Sequence, residues 1–512
     1  MKLRGLFLFL GVVFLLSVLS FNPVLAADDK NTEDSKAVSN QMIVKISVDS
    51  KKQVETLANM GLDIAEVKKD YVVVLINSVN LKKLEKRGFH FTIIEQDANA
   101  KLARFRAGTL GKYHSFEQVE KIMKDAEAAY PEICKLHVIG KSFEGRPIYA
   151  LQVTSNPGAN AKKPSCLIMG LHHSREWISV EVPLALIEEM TTKYAKDDKI
   201  KKLVDGRSTW IVPVTSPDGL VFSQTKSKMW RKNRRLNTDK SYGVDPNRNY
   251  GYEWGNVGAS SSTGSDTYHG TGPFSEPCTS AIKQLAEQQH FIGSISFHSY
   301  SELVLYPFGY AYEATAKDDK LLAQVAGEMG KLNGYTAEKS SDLYPAMGDS
   351  DDWMYGAMGA LAFTIELGSQ FVPGDSEVPA ICSNNVKACL HLIDTIGTTH
   401  ASTHPDFASP TMVATSRYLF AAGASKGKDA SAKTALVNLL NPVNDANGKN
   451  LEEFIAETAK SDAKSKQLLV PVLKEVKNMY MNNIINKIGN TRQVIRDVEK
   501  IQSELMNAEN AE

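Results

Sequence analysis

The sequence predicts an α/β protein: a mixed sheet flanked by helices, with an N-terminal ferredoxin-like unit and a C-terminal helical extension. Three observations carry this. Between about Tyr113 and Thr399, strand-like apolar runs alternate with helix-like amphipathic ones, the pattern of a largely parallel or mixed sheet. Residues 42–96 run β-α-β-β-α-β, the order of a ferredoxin-like unit. Beyond residue 400 only helical periodicity remains. At 512 residues the chain is also too long for one small core, since domains run to roughly 150 residues.

The elements follow in order. Residues 1–26 place Lys2 and Arg4 before an apolar run that ends in small residues at Val24-Leu25-Ala26, as expected of a cleaved secretory signal peptide and an extracellular or periplasmic protein. An uncleaved anchor is the alternative, because the run approaches the length of a membrane span. After signal removal no stable membrane span is expected. Residues 27–106 hold the small unit, in which "MIVKISV", "KKQVETLANMG", "LDIAEV", "YVVVLIN", "VNLKKLEKRG" and "FHFTIIEQ" read as strand, helix, strand, strand, helix and strand. A polar, small-residue stretch with Arg104 and Arg106 closes it, an exposed linker open to a protease.

Residues 107–400 form the main domain. Strands are expected at "IYALQV", "SCLIMGL", "STWIVPV", "IGSISFH" and "LAFTIEL", and helices at "SFEQVEKIMKDAEAAY", "VEVPLALIEEMTTKYA", "PCTSAIKQLAEQQ" and "KLLAQVAGEMGKLN". Ligands of such sheets bind at the carboxyl ends of the strands. Residues 401–512 read as a helical packing or interaction appendage.

Composition excludes some partners. Lys+Arg 59 balance Asp+Glu 59, so no global field draws the chain to nucleic acid or anionic lipid. The cysteines Cys134, Cys166, Cys278, Cys382 and Cys389 are sparse and irregularly spaced, which fits neither a disulfide scaffold nor a CxxC metal site. Cys166 is expected to be a buried thiol, while Cys382 and Cys389 could pair.

One stretch carries chemistry. "LHHSREWISVEV" places His173 three residues before Glu176, and a helical first turn beginning near Ser174 would turn both side chains to one side, where they could share one ion. H-x-x-E by itself is weak evidence; a capped helix start with a solvated Glu explains it as well. A third candidate ligand is His298, again at the end of an apolar run. Two histidines and a carboxylate leave a fourth position open, the layout of a catalytic zinc site. Adjacent residues point to opposite faces, so His172 is expected to be a packed or hydrogen-bonded neighbour.

The sequence resembles the zinc metallocarboxypeptidases of the carboxypeptidase A/B type, including secreted bacterial relatives such as carboxypeptidase T, over roughly residues 113–398. The resemblance rests on "SFEGRPIYAL", "GLHHSREWIS", "SPDGLVFS", "MWRKNRR", "GVDPNRNY", "FHSYSELVLYPFGY", "LYPAMGDSDDWMYG" and "FTIELG", in that order. It implies the zinc carboxypeptidase fold and one catalytic Zn2+ held by His173, Glu176 and His298, the His₂Glu set of that class. It also implies Glu366 as general base, Arg231 as the oxyanion stabiliser, and Asp245 as the acid that hydrogen-bonds a ligand histidine. Asn247 and Arg248 match the pair that grips the substrate's terminal carboxylate. Arg175 matches an arginine along the substrate path, and Tyr344 the mobile tyrosine that closes over the bound end.

Asp351 falls where B-type enzymes carry an aspartate at the base of the side-chain pocket, implying a preference for C-terminal Lys or Arg. Asp349 replaces a glycine of the mammalian members; it deepens that preference or, directed elsewhere, leaves mixed specificity. Arg234 and Arg235 are expected on a solvated face. The N-terminal unit matches the family's prosegment, which implies a zymogen released by an activating protease near Arg104 or Arg106. The expected activity is removal of C-terminal residues from peptides or proteins. Action on cell-wall peptides is the alternative, and a catalytically silent binding protein the reading from another class.

Overall fold

The computed structural model describes residues 41–102, 110–158 and 163–397. The signal sequence, Arg104, Arg106 and the helical extension expected at 401–512 lie outside the described residues.

The N-terminal unit runs β1 (Met42–Ser47), α1 (Lys51–Asn59), β2 (Asp63–Val67), β3 (Tyr71–Ile76), α2 (Ser78–Lys86) and β4 (Phe91–Glu95). Its strands form an antiparallel sheet in the order β2-β3-β1-β4. Alternation explains it: Val44 and Ile46 of β1 are fully buried while Lys45 faces out. With Leu57, Val72, Val74 and Leu84 they build a core of the unit's own, each such side chain contributing about 1.5–3 kcal/mol.

The main domain is one eight-stranded sheet in the order β11-β10-β12-β9-β7-β8-β6-β5. Its strands are β5 (Cys134–Lys141), β6 (Pro147–Val153), β7 (Ser165–Met169), β8 (Ser208–Val212), β9 (Gly293–His298), β10 (Leu303–Tyr306), β11 (Thr336–Lys339) and β12 (Leu361–Glu366). The four central strands β12, β9, β7 and β8 are mutually parallel, whereas β10, β6 and β5 join antiparallel, so the sheet is mixed. Strands β7, β8 and β9 are buried at every residue because helices cover both faces. The flanking helices are α3 (Phe116–Ala129), α4 (Ile178–Lys193), α5 (Asp198–Gly206), α6 (Pro217–Thr225), α7 (Pro277–Gln289), α8 (Asp319–Asn333), α9 (Ser350–Gly356) and α10 (Val378–Thr395).

Three expectations are corrected. His173 and Glu176 do not lie on a first helical turn; they sit in a tight turn closed by Glu176 N–H donating to His173 O at 3.2 Å, and α4 starts only at Ile178. Cys382 and Cys389 do not pair: all five cysteines are free and buried, and seven residues on one helix are about 10 Å apart along its axis, beyond disulfide reach. Arg234 is not on a solvated face; it is buried, with its guanidinium 3.7 Å from the Phe222 ring centre and 4.3 Å from that of Tyr242.

Candidate active site

Strand ends converge on the site. β9 ends on His298 and β12 on Glu366, and these two residues are register partners. Next to them β7 runs out through Gly170 and Leu171 into the His172–Glu176 turn. The turn can fold back closely because residue 170 has no side chain; a Cβ there would stand 2.2 Å from Ser179 O.

The result is a buried trio. His173 Nδ1 lies 2.8 Å from Glu176 Oε1, His298 Nδ1 lies 3.0 Å from Glu176 Oε2, and the two Nδ1 atoms are 3.1 Å apart. All three residues are at most 4% exposed. The outer ring nitrogens are engaged elsewhere: His173 Nε2 meets Asp245 Oδ1 at 3.1 Å and His298 Nε2 meets Ser296 Oγ at 3.1 Å. Burial pushes both carboxyls up, but His173 and His298 beside Glu176, and Arg231 with His173 beside Asp245, outweigh it and hold both below the usual carboxylate range. With hydrogens on the outer nitrogens, two imidazole lone pairs and a carboxylate face one point, an arrangement that repels itself unless a cation is shared. The donor set therefore fits zinc, which takes nitrogen and oxygen ligands and has a carboxylate behind a ligand histidine as a common second support.

Glu366 ends the neighbouring strand, beside His298. Burial and the facing Glu176 push its carboxyl well above the usual range, against Arg231 and Arg248, which pull it down. Arg231 donates from Nε and Nη2 to Asp245 Oδ2 at 3.0 and 2.9 Å, which fixes the guanidinium beside the trio. Arg248 donates from Nη1 to Asn247 O at 2.7 Å and from Nη2 to Tyr344 Oη at 3.0 Å, while Asn247 Oδ1 accepts from Ser350 N–H at 3.0 Å. Hydrogen bonds thus link Arg231 to the trio through Asp245, which also accepts from Asn247 N–H at 2.9 Å.

The two specificity candidates diverge. Asp349 Oδ1 accepts from Asp352 N–H at 2.9 Å and caps α9. Asp351 accepts from Thr364 Oγ1 at 3.0 Å and Ser340 Oγ at 2.7 Å. Asp349, Asp351 and Asp352 bring ligand atoms within 4.8 Å of one another, all buried. Burial and their mutual repulsion push Asp349 and Asp352 well above the usual carboxylate range.

One residue of the site escaped the sequence reading. Asp63, at the start of β2, is 2% exposed and reaches in from the N-terminal unit. It accepts from Arg175 Nη1 and Nη2 at 2.5 and 2.7 Å and from Arg231 Nη1 at 3.2 Å. Burial opposes its charge, yet the two guanidiniums hold it below the usual range. Arg175, fully buried, also lies over the Phe371 ring at 4.1 Å. The signal in the sequence is an acid at the first position of a strand whose next two residues, Ile64 and Ala65, are apolar and buried.

A buried nitrogen-and-carboxylate donor set at the carboxyl rim of an α/β sheet, with a further carboxyl and a guanidinium beside it, defines a metal-dependent hydrolase. Residues 119–388 match the sequence model of the zinc carboxypeptidases, Peptidase_M14, and the chain belongs to that family. It is a metallocarboxypeptidase of the A/B type that uses one catalytic zinc ion and acts on peptide C-termini. It is 33% identical over 308 residues to a zinc carboxypeptidase of Saccharothrix mutabilis subsp. capreolus, covering 56% of this chain and 69% of that protein. Carboxypeptidase B of Rattus norvegicus is 32% identical over 329 residues, 60% of this chain and 79% of that one. The crystal structure of a carboxypeptidase A from Helicoverpa armigera superposes with a TM-score of 0.63 at 22% identity, over 71% of this chain and 98% of that one, which shows the shared fold. Among the described residues no helix is long and apolar enough to cross a membrane.

Proposed function

We propose that this is an exported zinc carboxypeptidase with a preference for C-terminal Lys or Arg, made as a latent precursor. His173, Glu176 and His298 hold the ion; the convergence of their three donors carries this reading. Zinc bound there supplies Lewis acidity and makes a water easier to deprotonate. Glu366 takes the proton of the attacking water and returns it to the leaving amine, work for which a carboxyl already shifted up by burial is suited. Arg231, immobilised by Asp245, offers fixed positive charge to the developing oxyanion. Asn247 and Arg248 take the terminal carboxylate, with Tyr344 over it, and Arg175 lines the approach. Expected result: a chelator abolishes release of the last residue from a blocked peptide and zinc restores it; release that persists in excess chelator refutes the ligand set.

The basic preference rests on three buried carboxyls that have no cationic partner in any ion pair among the described residues. A Lys or Arg side chain of the substrate supplies the missing charge, and Asp351, oriented by two hydroxyls, is placed to receive it. Asp349 supports it as the cap of α9. For Asp351→Asn, losing a buried charge partner is worth roughly 2–5 kcal/mol, so kcat/KM for C-terminal Lys should fall about 30-fold or more. The rate for C-terminal Leu should change little. Equal losses on both substrates would remove Asp351 from the specificity role.

Latency rests on Asp63. The N-terminal unit keeps the site shut by holding Arg175 and Arg231 through Asp63 in buried ion pairs. The same unit presses Gly61 against the 260–265 loop, where Ser265 Oγ donates to Gly61 O at 3.1 Å. Tyr344 packs on its core. Cleavage in the linker near Arg104 or Arg106 releases the hold. Export follows from the apolar N-terminal run read as a signal peptide.

A further inference from the structure

Behind His298 lies a set of hydrogen bonds that zinc binding and turnover, as derived above, do not use. His172 is fully buried, its ring stacked on that of His298 with centroids 5.4 Å apart and planes 15° from parallel. Its Nδ1 is 3.1 Å from Ser296 Oγ and its Nε2 is 2.7 Å from Tyr250 Oη. Ser296 Oγ is in turn 3.1 Å from His298 Nε2. Ser296 and His298 are two residues apart on β9, so their side chains share a face of the sheet. Tyr250, His172, Ser296 and His298 thus form one continuous buried chain.

We infer that His172 is a positioning residue for zinc: through Ser296 it fixes the His298 ring with Nε2–H outward and the Nδ1 lone pair toward the ion. This rests on the reading that His298 is a ligand. The two ligand histidines are backed unequally. Behind His173 stands the carboxylate of Asp245, charged and held by Arg231. Behind His298, among the described residues, stands a serine hydroxyl, which rotates freely and accepts from Nε2–H only when its own hydrogen is directed elsewhere. His172 gives that hydrogen a destination. His298 Nε2–H donates to Ser296 Oγ, Ser296 Oγ–H donates to His172 Nδ1, and His172 Nε2–H donates to Tyr250 Oη. All three bonds run in one direction and polarise one another. If packing alone mattered, an aliphatic side chain would fill the place without the cost of burying two polar nitrogens.

The test uses the full chain stripped of zinc. Zinc affinity is measured by competition with a chromophoric chelator, and the rise in Tm on adding zinc is a second readout. Supports of this kind are worth 10–100-fold in metal affinity, so His172→Leu and Ser296→Ala should each weaken zinc binding about 10-fold or more. The double variant should be scarcely worse than either, because both break one chain. His172→Asn, whose amide oxygen overlies the position of Nδ1, should stay within about 3-fold of the parent, well short of that loss. Unchanged affinity in His172→Leu, additive losses in the double variant, or an Asn variant as weak as Leu each overturns the inference. If His172→Leu does not fold, Ser296→Ala decides by the same criterion. His298→Gln is the control: unchanged zinc affinity there sinks the ligand set itself, whereas loss there with none in Ser296→Ala sinks only the role of His172.

Discussion

Glu366→Gln leaves zinc bound and turnover all but gone. The amide keeps the size of the carboxyl, so the ends of β12 and β9 stay in register, and His173, Glu176 and His298 keep their contacts. What disappears is a carboxyl beside the trio that can hold a proton and is shifted toward doing so. General acid and base catalysis contributes about 10²–10⁴-fold, and kcat should fall by that factor with KM and the zinc content little changed. Steady-state kinetics with metal analysis of the same preparation check it. A variant that loses zinc in parallel with activity would instead make Glu366 a ligand, and one that retains a tenth of the parental kcat would make it a bystander.

The second large effect is the unmasking of the uncut chain by Asp63→Asn. Asp63 bridges Arg175 and Arg231 with all three side chains buried. Removing one partner of a buried pair costs about 3–5 kcal/mol, because the remaining charges are left without compensation. Here two guanidiniums would face each other across an uncharged amide, and the closed arrangement loses that amount relative to the open one. The uncut parent should be silent on a small blocked dipeptide ending in Lys, the uncut variant should show activity about 10²–10³-fold higher, and the two should coincide after cleavage of the linker. Lys51→Ala is the contrast. Its pair with Asp342 spans the same two units at 2.6 Å but is exposed on both sides, and such pairs are worth at most about 1 kcal/mol. An uncut parent as active as the cut one rules out latency altogether. A silent uncut Asp63→Asn chain that becomes active on cutting would move the hold to other contacts.

Much of the architecture was legible from periodicity. The β-α-β-β-α-β order and the central strands are legible because strands buried on both faces carry apolar runs, Cys166–Met169 in β7 and Trp210–Val212 in β8. β5, with only Cys134 buried, and β11, of sequence TAEK, carry no such run, and the apolar run of β10 is only four residues long, so none of the three stands out as a strand. The H-x-x-E pair was legible as a spacing but not as a conformation: three residues apart suits a helical turn, and the chain uses a non-helical one because Gly170 lets the turn fold back on Ser179. Arg234 was misread because a cation in a basic run is expected in water, whereas here Phe222 and Tyr242 enclose it.

What the sequence by itself determined is the inventory: which strands end in which chemically competent residue, and, through motifs in a fixed order, which family the chain joins. Only the tertiary structure decided how those residues are backed. Asp63 and Arg175 are 112 positions apart, and His172 and Ser296 are 124 apart. No local pattern can join them, because hydrogen bonds and buried ion pairs depend on distances of about 3 Å, and those distances are set by how the sheet and the N-terminal unit pack together. The same cause separates Asp349 from Asp351. Two residues apart in one acidic run, they differ because the start of α9 turns one carboxylate onto its own backbone and leaves the other to the hydroxyls of Ser340 and Thr364.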